Sequence, residues 1–333
     1  MVRTNRRKFL SRTAAMSVPV MIASSAEADS VENGRNASSN AEYVWQENAH
    51  EHHAVPTGPT TPSDCQNEAL CDIGSSLIYK GTLGGSNFDY RLHDFVMSNT
   101  YKGRLQDKDC SVDSVGLTSH GVEAVVQTNN DSEIHPNHFD DDVYAGGTPA
   151  EGSPLPYIDE DVALAAIQGA VTTLNNYVSV GVAAIDVLNA MSNDKPEPPV
   201  QKSVGFGWDY WSTQTEPSNY MHVLWKAPNN ETSEVTFRAN AEATIYSAIT
   251  TQEFELQTDG NPCPPYQDSS DVELAEVEGV RVPSRDAVLE VYDQEDLPRS
   301  STLSADADGK VVKYADPSLV ISDIRGTEDS KNE

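Results

Sequence analysis

Eight histidines and four cysteines are the residues of this chain best suited to hold a metal or move a proton. His50-Glu51-His52-His53 sets three imidazoles around a carboxylate, a donor set that suits a transition ion. The residues around it are polar, and histidines in such a tract are ordinarily just solvated. His135 and His138 stand ahead of Asp140, Asp141 and Asp142, whose oxygens would suit calcium or sodium. The glycine and terminal glutamate of a helix-loop calcium site are missing, so a solvated acidic loop is the better reading. Neither a metal nor any other cofactor is assigned. Ser119-His120 and His93-Asp94 could join a scattered triad, but a chain with eight histidines offers such neighbours by chance. There is no G-x-S-x-G elbow, no H-E-x-x-H helix and no phosphate-binding glycine loop. Paired carboxylates carry no signal among 52 acidic residues. No catalytic residue is assigned, and the chain does not read as an enzyme. Trp208, Tyr210, Trp211 and Trp225 could form a platform for carbohydrate or a partner, although Trp208-Asp209-Tyr210-Trp211 alternates like a strand with one buried face, which favours core packing.

Cys65, Cys71, Cys110 and Cys263 contain no C-x-x-C pair, which argues against metal binding. An even number in an oxidising compartment predicts two disulfides, and the spacing leaves all three connectivities open.

The N-terminus supplies that compartment. Residues 1–28 read as an export signal, with basic residues first, a modest apolar stretch next and an A-x-A-like cleavage site at Ala26-Glu27-Ala28. Within it, Arg6, Arg7, Phe9 and Leu10 match the twin-arginine export motif, while Asn5 and Ser11 depart from it at the edges. That machinery carries folded proteins and is the first expected partner. Removing residues 1–28 takes away five of the 22 basic residues and one of the 52 acidic ones, leaving 17 against 51 and a net charge of −34. Such a charge disfavours nucleic acid and anionic bilayers as partners. It also repels itself at low salt, whereas at about 1 M salt the Debye length falls to about 3 Å. Abundant carboxylates, scarce lysine and an export route for folded proteins point to a secreted, extracellular protein of a salt-loving archaeon.

Residues 29–64 are rich in Ser, Asn, His, Thr and Pro and read as a disordered linker or propeptide. A single globular domain is expected over 65–320, with a flexible acidic tail over 321–333. Segments 75–83, 88–97 and 121–128 read as strands bounded by Gly, Asn or Asp. Strand-like runs resume after Pro199, most plainly in the alternation Glu234-Val235-Thr236-Phe237-Arg238, and imply antiparallel pairing.

Between these β regions lie 24 residues without a charge, 162–185. Leu164, Ile167, Val171, Leu174, Val178, Val182, Ile185 and Leu188 recur every three or four residues, which predicts a helix from Asp159 to about Ser192, or a helical hairpin instead where a kink or short break falls at Asn175-Asn176. The fold class expected is therefore α+β, antiparallel sheet packed on one long helix or helical hairpin over about 159–192. Six polar side chains in the run, with Asp186 at its end, favour a soluble core element over a permanent membrane anchor. A helix held in the soluble fold and released at a target membrane is the remaining alternative, with Val171 and Val178 as its candidate contacts.

Four strings in this order, residues 159–188, 220–235, 275–288 and 313–321, resemble the large protein halocins, antimicrobial proteins that haloarchaea secrete against related strains. The most distinctive pieces are Glu278-Gly279-Val280-Arg281-Val282-Pro283 and Ala315-Asp316-Pro317. The resemblance covers roughly residues 157–322. It implies growth inhibition or lysis of other haloarchaea, a membrane protein of the target cell such as a sodium/proton antiporter as the point of attack, and an immunity protein in the producer. It transfers no catalytic residue. The competing expectation is a non-enzymatic surface, adhesion or ligand-binding protein.

Overall fold

The computed structural model describes residues 43–59, 65–84, 90–136, 145–148, 160–184, 186–187, 202–229, 231–243, 248–259, 275–277, 280–282, 288–293, 310–316 and 318–327. Strand β1 (Trp45–Pro56) lies antiparallel to β2 (Glu68–Gly84), which pairs on its other side with β3 (Tyr90–Gln106) from Glu68 opposite Gln106 to Leu83 opposite Leu92. The short strands β4 (Val112–Val115), β6 (Glu133–Pro136) and β7 (Ala145–Gly147) flank this ladder, and β5 (Leu117–Val126) leaves it for a second sheet. Helix α1 (Glu160–Asn175) follows, then β8 (Ser203–Gln214), β9 (Ser218–Pro228), β10 (Ser233–Ala243) and β11 (Ile249–Thr258). A two-stranded ribbon of β12 (Ala275–Val277) and β13 (Val280–Val282) precedes β14 (Val288–Asp293), β15 (Lys310–Tyr314) and β16 (Leu319–Gly326).

The nine-stranded sheet runs β14-β15-β2-β3-β9-β6, with β1, β4 and β7 added beside β2, β3 and β9. The five-stranded sheet runs β16-β11-β10-β5-β8. Side chains of the two meet in the main core, where Tyr79, Phe95 and Trp225 of the first sheet share one cluster with Phe206, Phe237 and Phe254 of the second. The architecture is thus a sandwich of two antiparallel sheets, and the expected α+β packing on a long helix is incorrect.

Helix α1 covers the other face of the nine-stranded sheet. Val162, Ala163, Ala166, Ile167, Val171 and Leu174 are buried, while Gln168, Thr172 and Asn175 face out. The backbones come close because Gly74 lies beneath the helix; a Cβ there would stand 2.4 Å from the Ala170 carbonyl oxygen. The helix has 16 residues, a rise of about 24 Å at 1.5 Å per residue. No described helix is long and apolar enough to cross a membrane. It ends at Asn175 because that side chain accepts a hydrogen bond from the Val180 N–H at 3.1 Å, and Lys102 then takes the Ser179 carbonyl. Asn175-Asn176 does break the helix, but 178–183 continue without helical structure and only 184, 186 and 187 are helical beyond them among the described residues, so the expected second arm of a hairpin is not found there; residues 188–192 lie outside them. Val171 and Val178, the candidate membrane contacts, are 9% and 6% exposed and belong to the folded interior.

Three further expectations change. Residues 45–56, read as linker, form β1, which pairs with β2 along its whole length and tucks Trp45 against the main core. Residues 321–326, read as tail, complete β16. Of the four cysteines, Cys65 and Cys110 form a disulfide, since pairing Glu68 with Gln106 brings the residues flanking the β2–β3 ladder side by side. Cys71 is a buried free thiol in the sandwich core, its pKa pushed up to about 12 by burial, so the two-disulfide scheme fails at that residue. Cys263 and the export-signal residues Arg6, Arg7, Phe9, Leu10, Ala26 and Ala28 lie outside the described residues.

Candidate functional site

The pairs His93-Asp94 and Ser119-His120 cannot act as dyads, because successive residues of a strand face opposite sides of the sheet. On β3 this alternation creates two separate clusters back to back. Asp94 points to the helix-covered face, where the His222 Nε2–H of β9 donates to its Oδ1 at 2.7 Å and Lys313 Nζ of β15 stands 3.5 Å from its Oδ2. Burial alone would raise the Asp94 carboxyl, but His222, Lys80 and Lys313 outweigh it and hold the group below the ordinary carboxylate range. Burial lowers the His222 imidazole despite the attraction of Asp94, so the ring is neutral near pH 7.

Arg91 and His93 face the other way, into the sandwich. The Arg91 Nη1 donates to Asp316 Oδ2 and Ser318 Oγ, both at 2.9 Å, and Nη2 donates to the Asp259 carbonyl at 3.0 Å. A hydrogen-bonded chain runs beside it. The Asp316 N–H donates to the Tyr79 hydroxyl at 3.0 Å, that hydroxyl lies 2.5 Å from Thr82 Oγ1, and Thr82 Oγ1 lies 2.7 Å from His93 Nδ1. We assign one direction to the whole chain, Tyr79 donating to Thr82 and Thr82 to Nδ1, which puts the ring proton of His93 on Nε2. Burial, reinforced by Arg91 and opposed by Asp316, lowers the His93 pKa to about 3, and the imidazole is neutral.

The other residues singled out by type are placed as follows. Trp208 and Trp225 are core residues at 7% and 0% exposure, and the Tyr210 hydroxyl donates to the Thr148 carbonyl at 2.7 Å, so these three form no exposed platform. The Trp211 side chain lies outside the described residues. His50 stacks on Tyr177 with centroids 3.9 Å apart, and its Nε2 lies 3.5 Å from Asp72, which Arg104 grips through both oxygens at 2.7 and 2.9 Å. His52 is exposed and stacks more loosely on His50. His120 is buried between Tyr101 and Trp208. His135 is buried on β6, while His138 and Asp140 to Asp142 lie outside the described residues. Among the described residues no group of three His, Cys, Asp or Glu side chains is arranged to hold a metal ion.

Sequence reasoning missed Asp94–His222 and Arg91–Asp316, whose members are 128 and 225 residues apart. No local signal links them; only the order of strands does. No protein-family model matches the chain, and no curated protein matches it. Two of the four strings quoted from the sequence supply side chains to these clusters. Residues 220–235 contribute His222 and Trp225, residues 313–321 contribute Lys313, Asp316 and Ser318, and all five lie around Arg91, His93 and Asp94 of β3.

Proposed function

We propose that the protein is a secreted antimicrobial protein of the halocin type, which stops the growth of related haloarchaea by binding the target cell rather than by turnover. A membrane transporter of that cell is the point of attack, and an immunity protein protects the producer. The observation that carries the reading is the convergence on β3 of two strings that the sequence keeps almost a hundred residues apart. One string supplies His222 and Trp225 and the other Lys313, Asp316 and Ser318 to the two clusters on opposite faces of β3.

Two further features support it. The outer face of the five-stranded sheet carries ion pairs of Arg238 with Glu123 and Glu253, and of Arg325 with Glu255 and Asp323, on a chain of net charge −30. That surface suits molar salt, where repulsion among the remaining carboxylates is screened. The Cys65–Cys110 disulfide is of a kind that persists in oxidising surroundings, in keeping with export. Because Val171 and Val178 are turned inward, contact with the target falls to the outer surface of the sandwich unless α1 leaves it.

The exported chain, purified in molar KCl, is to be spotted in dilution on lawns of several haloarchaeal species. Clear zones on some lawns, lost when the sample is first unfolded in low salt, are the expected result. Intact lawns across the panel, with the sample shown to be folded by circular dichroism, overturn the proposal and leave the surface- or ligand-binding alternative.

A further inference from the structure

Buried polar groups are nearly always hydrogen-bonded, so those that are not point to a missing partner. Among the described residues the interior of the sandwich contains two such places, and their chemistry differs. Midway along the β2–β3 ladder, Ser75 Oγ and Asn99 Oδ1 lack partners; they are cross-strand neighbours and fully buried. One is a hydroxyl and the other a carbonyl oxygen. A water molecule, which both donates and accepts, would satisfy that pair.

Nearer the Asp316 end of the core, Arg91 Nε, His93 Nε2 and Trp225 Nε1 lack partners, and their residues are 1%, 0% and 0% exposed. Arg91 and His93 share the inward face of β3, and Trp225 is the cross-strand partner of His93 on β9, with ring centroids 5.0 Å apart. Arg91 and Trp225 can only donate through these nitrogens. With Thr82 assigned as donor across its 2.7 Å contact with Nδ1, His93 Nε2 carries the ring proton. The set is therefore three N–H groups with no orphaned acceptor among them. A water oxygen takes two such bonds and then needs acceptors for its own two hydrogens. A small anion takes all three and donates nothing, and the Arg91 guanidinium makes one of the three bonds charge-assisted.

We propose that the core of the sandwich holds a small inorganic anion, a halide in chloride brine, bound by Arg91 Nε–H, His93 Nε2–H and Trp225 Nε1–H. The anion is a structural ligand, taken up as the two sheets close, and it makes folding depend on the identity of the anion as well as on ionic strength. Screening treats all monovalent salts alike, whereas a ligand that binds only the folded state stabilises it in proportion to the logarithm of its own concentration above its Kd. This inference stands independently of the antimicrobial reading.

The test uses the full exported chain, crystallised in KBr, with diffraction recorded at the bromine absorption edge. An anomalous peak in contact with the three nitrogens is expected. A water there, or bromide peaks only elsewhere, would falsify the proposal. In solution, thermal unfolding is followed while KBr replaces potassium acetate at constant ionic strength. Wild type is expected to show a rise in Tm that grows with the logarithm of bromide concentration above the Kd. Trp225→Phe keeps the ring and removes one N–H, and is expected to need at least tenfold more bromide for the same rise in Tm. Equal bromide dependence in the two proteins also overturns the proposal. If Trp225→Phe does not fold, the anomalous map of the wild-type crystal decides alone.

Discussion

The two faces of β2 and β3 belong to the same strands, yet they are built on different principles. The inward face meets the second sheet through large rings, with Tyr79, Phe95 and Phe237 in tilted contact at 5.1 to 5.3 Å. The outward face lies partly under α1, whose apolar cluster is small and centres on Ile78, Val96, Ile167 and Tyr220, and it also carries Asp72–Arg104, Lys102–Glu216 and Asp94–His222. Sheet-on-sheet contact gives one continuous core; a single helix over a polar face gives a patchwork of apolar and ionic contacts. The difference implies that the sandwich sets global stability, while α1 is the element that opens at lower cost.

Phe237→Ala attacks the inward face and should cost about 3–5 kcal/mol, the range for large cavities in a tight core. Denaturant unfolding in molar KCl measures it, and all probes should shift together. Ile167→Ala attacks the outward face and should cost about 2 kcal/mol, the lower end of the range for such truncations. Hydrogen exchange sharpens the contrast. Amides of α1 should lose protection more than those of β2 and β3, and equal loss everywhere would mean that helix and sandwich open as one unit.

Acid separates the faces further. His93 and His222 both have folded pKa values below the unfolded value, so the unfolded chain binds more protons as pH falls. The stability each provides is complete above about pH 6.5. It is lost, at about 1.4 kcal/mol per pH unit for each, between that value and the folded pKa. Asp94, lowered in the fold, adds its own loss below its unfolded pKa of about 3.9. For His93 the window extends down to about 3. Unfolding free energy measured from pH 7 to 4.5 should show this slope. His93→Gln should flatten it more than His222→Gln, whose ring is partly held by Asp94. The smallest effect is expected outside both faces. Arg238→Ala, at a half-exposed site between Glu123 and Glu253, should cost under about 1 kcal/mol in molar KCl. A larger loss would show that the outer ion pairs act as a network.

Much of the β structure was legible in the residues. Along β10, Val235, Phe237, Ala239 and Ala241 are buried while Glu234, Arg238, Asn240 and Glu242 are more exposed, as the alternation predicts, with the buried Thr236 the one exception. Strands β2 and β3 were only partly legible, because burial on both faces of a sheet replaces alternation with a mixed run in which Asp72, Ser76 and Asp94 are as buried as Leu77. The helix was overextended for a local reason. Its stripe continues through Val178 and Val182, but the Asn175 side chain captures a backbone N–H beyond the helix, and periodicity carries no information about that capture. Strand β1 was missed because its polar sequence resembles a linker, while its pairing depends on β2. The clusters around β3 were illegible, since their partners are fixed by the order of strands in the sheet and not by spacing along the chain.

The bond between Cys65 and Cys110 closes a covalent ring of chain that contains both central strands in full. A single backbone cut anywhere inside that ring therefore releases nothing: the two halves of the polypeptide remain one molecule, joined through sulfur and still hydrogen-bonded along β2 and β3. Only a cut combined with a reductant separates them. The segment most central to the architecture can thus be nicked without being dismantled, and migration on a denaturing gel with and without thiol would reveal it.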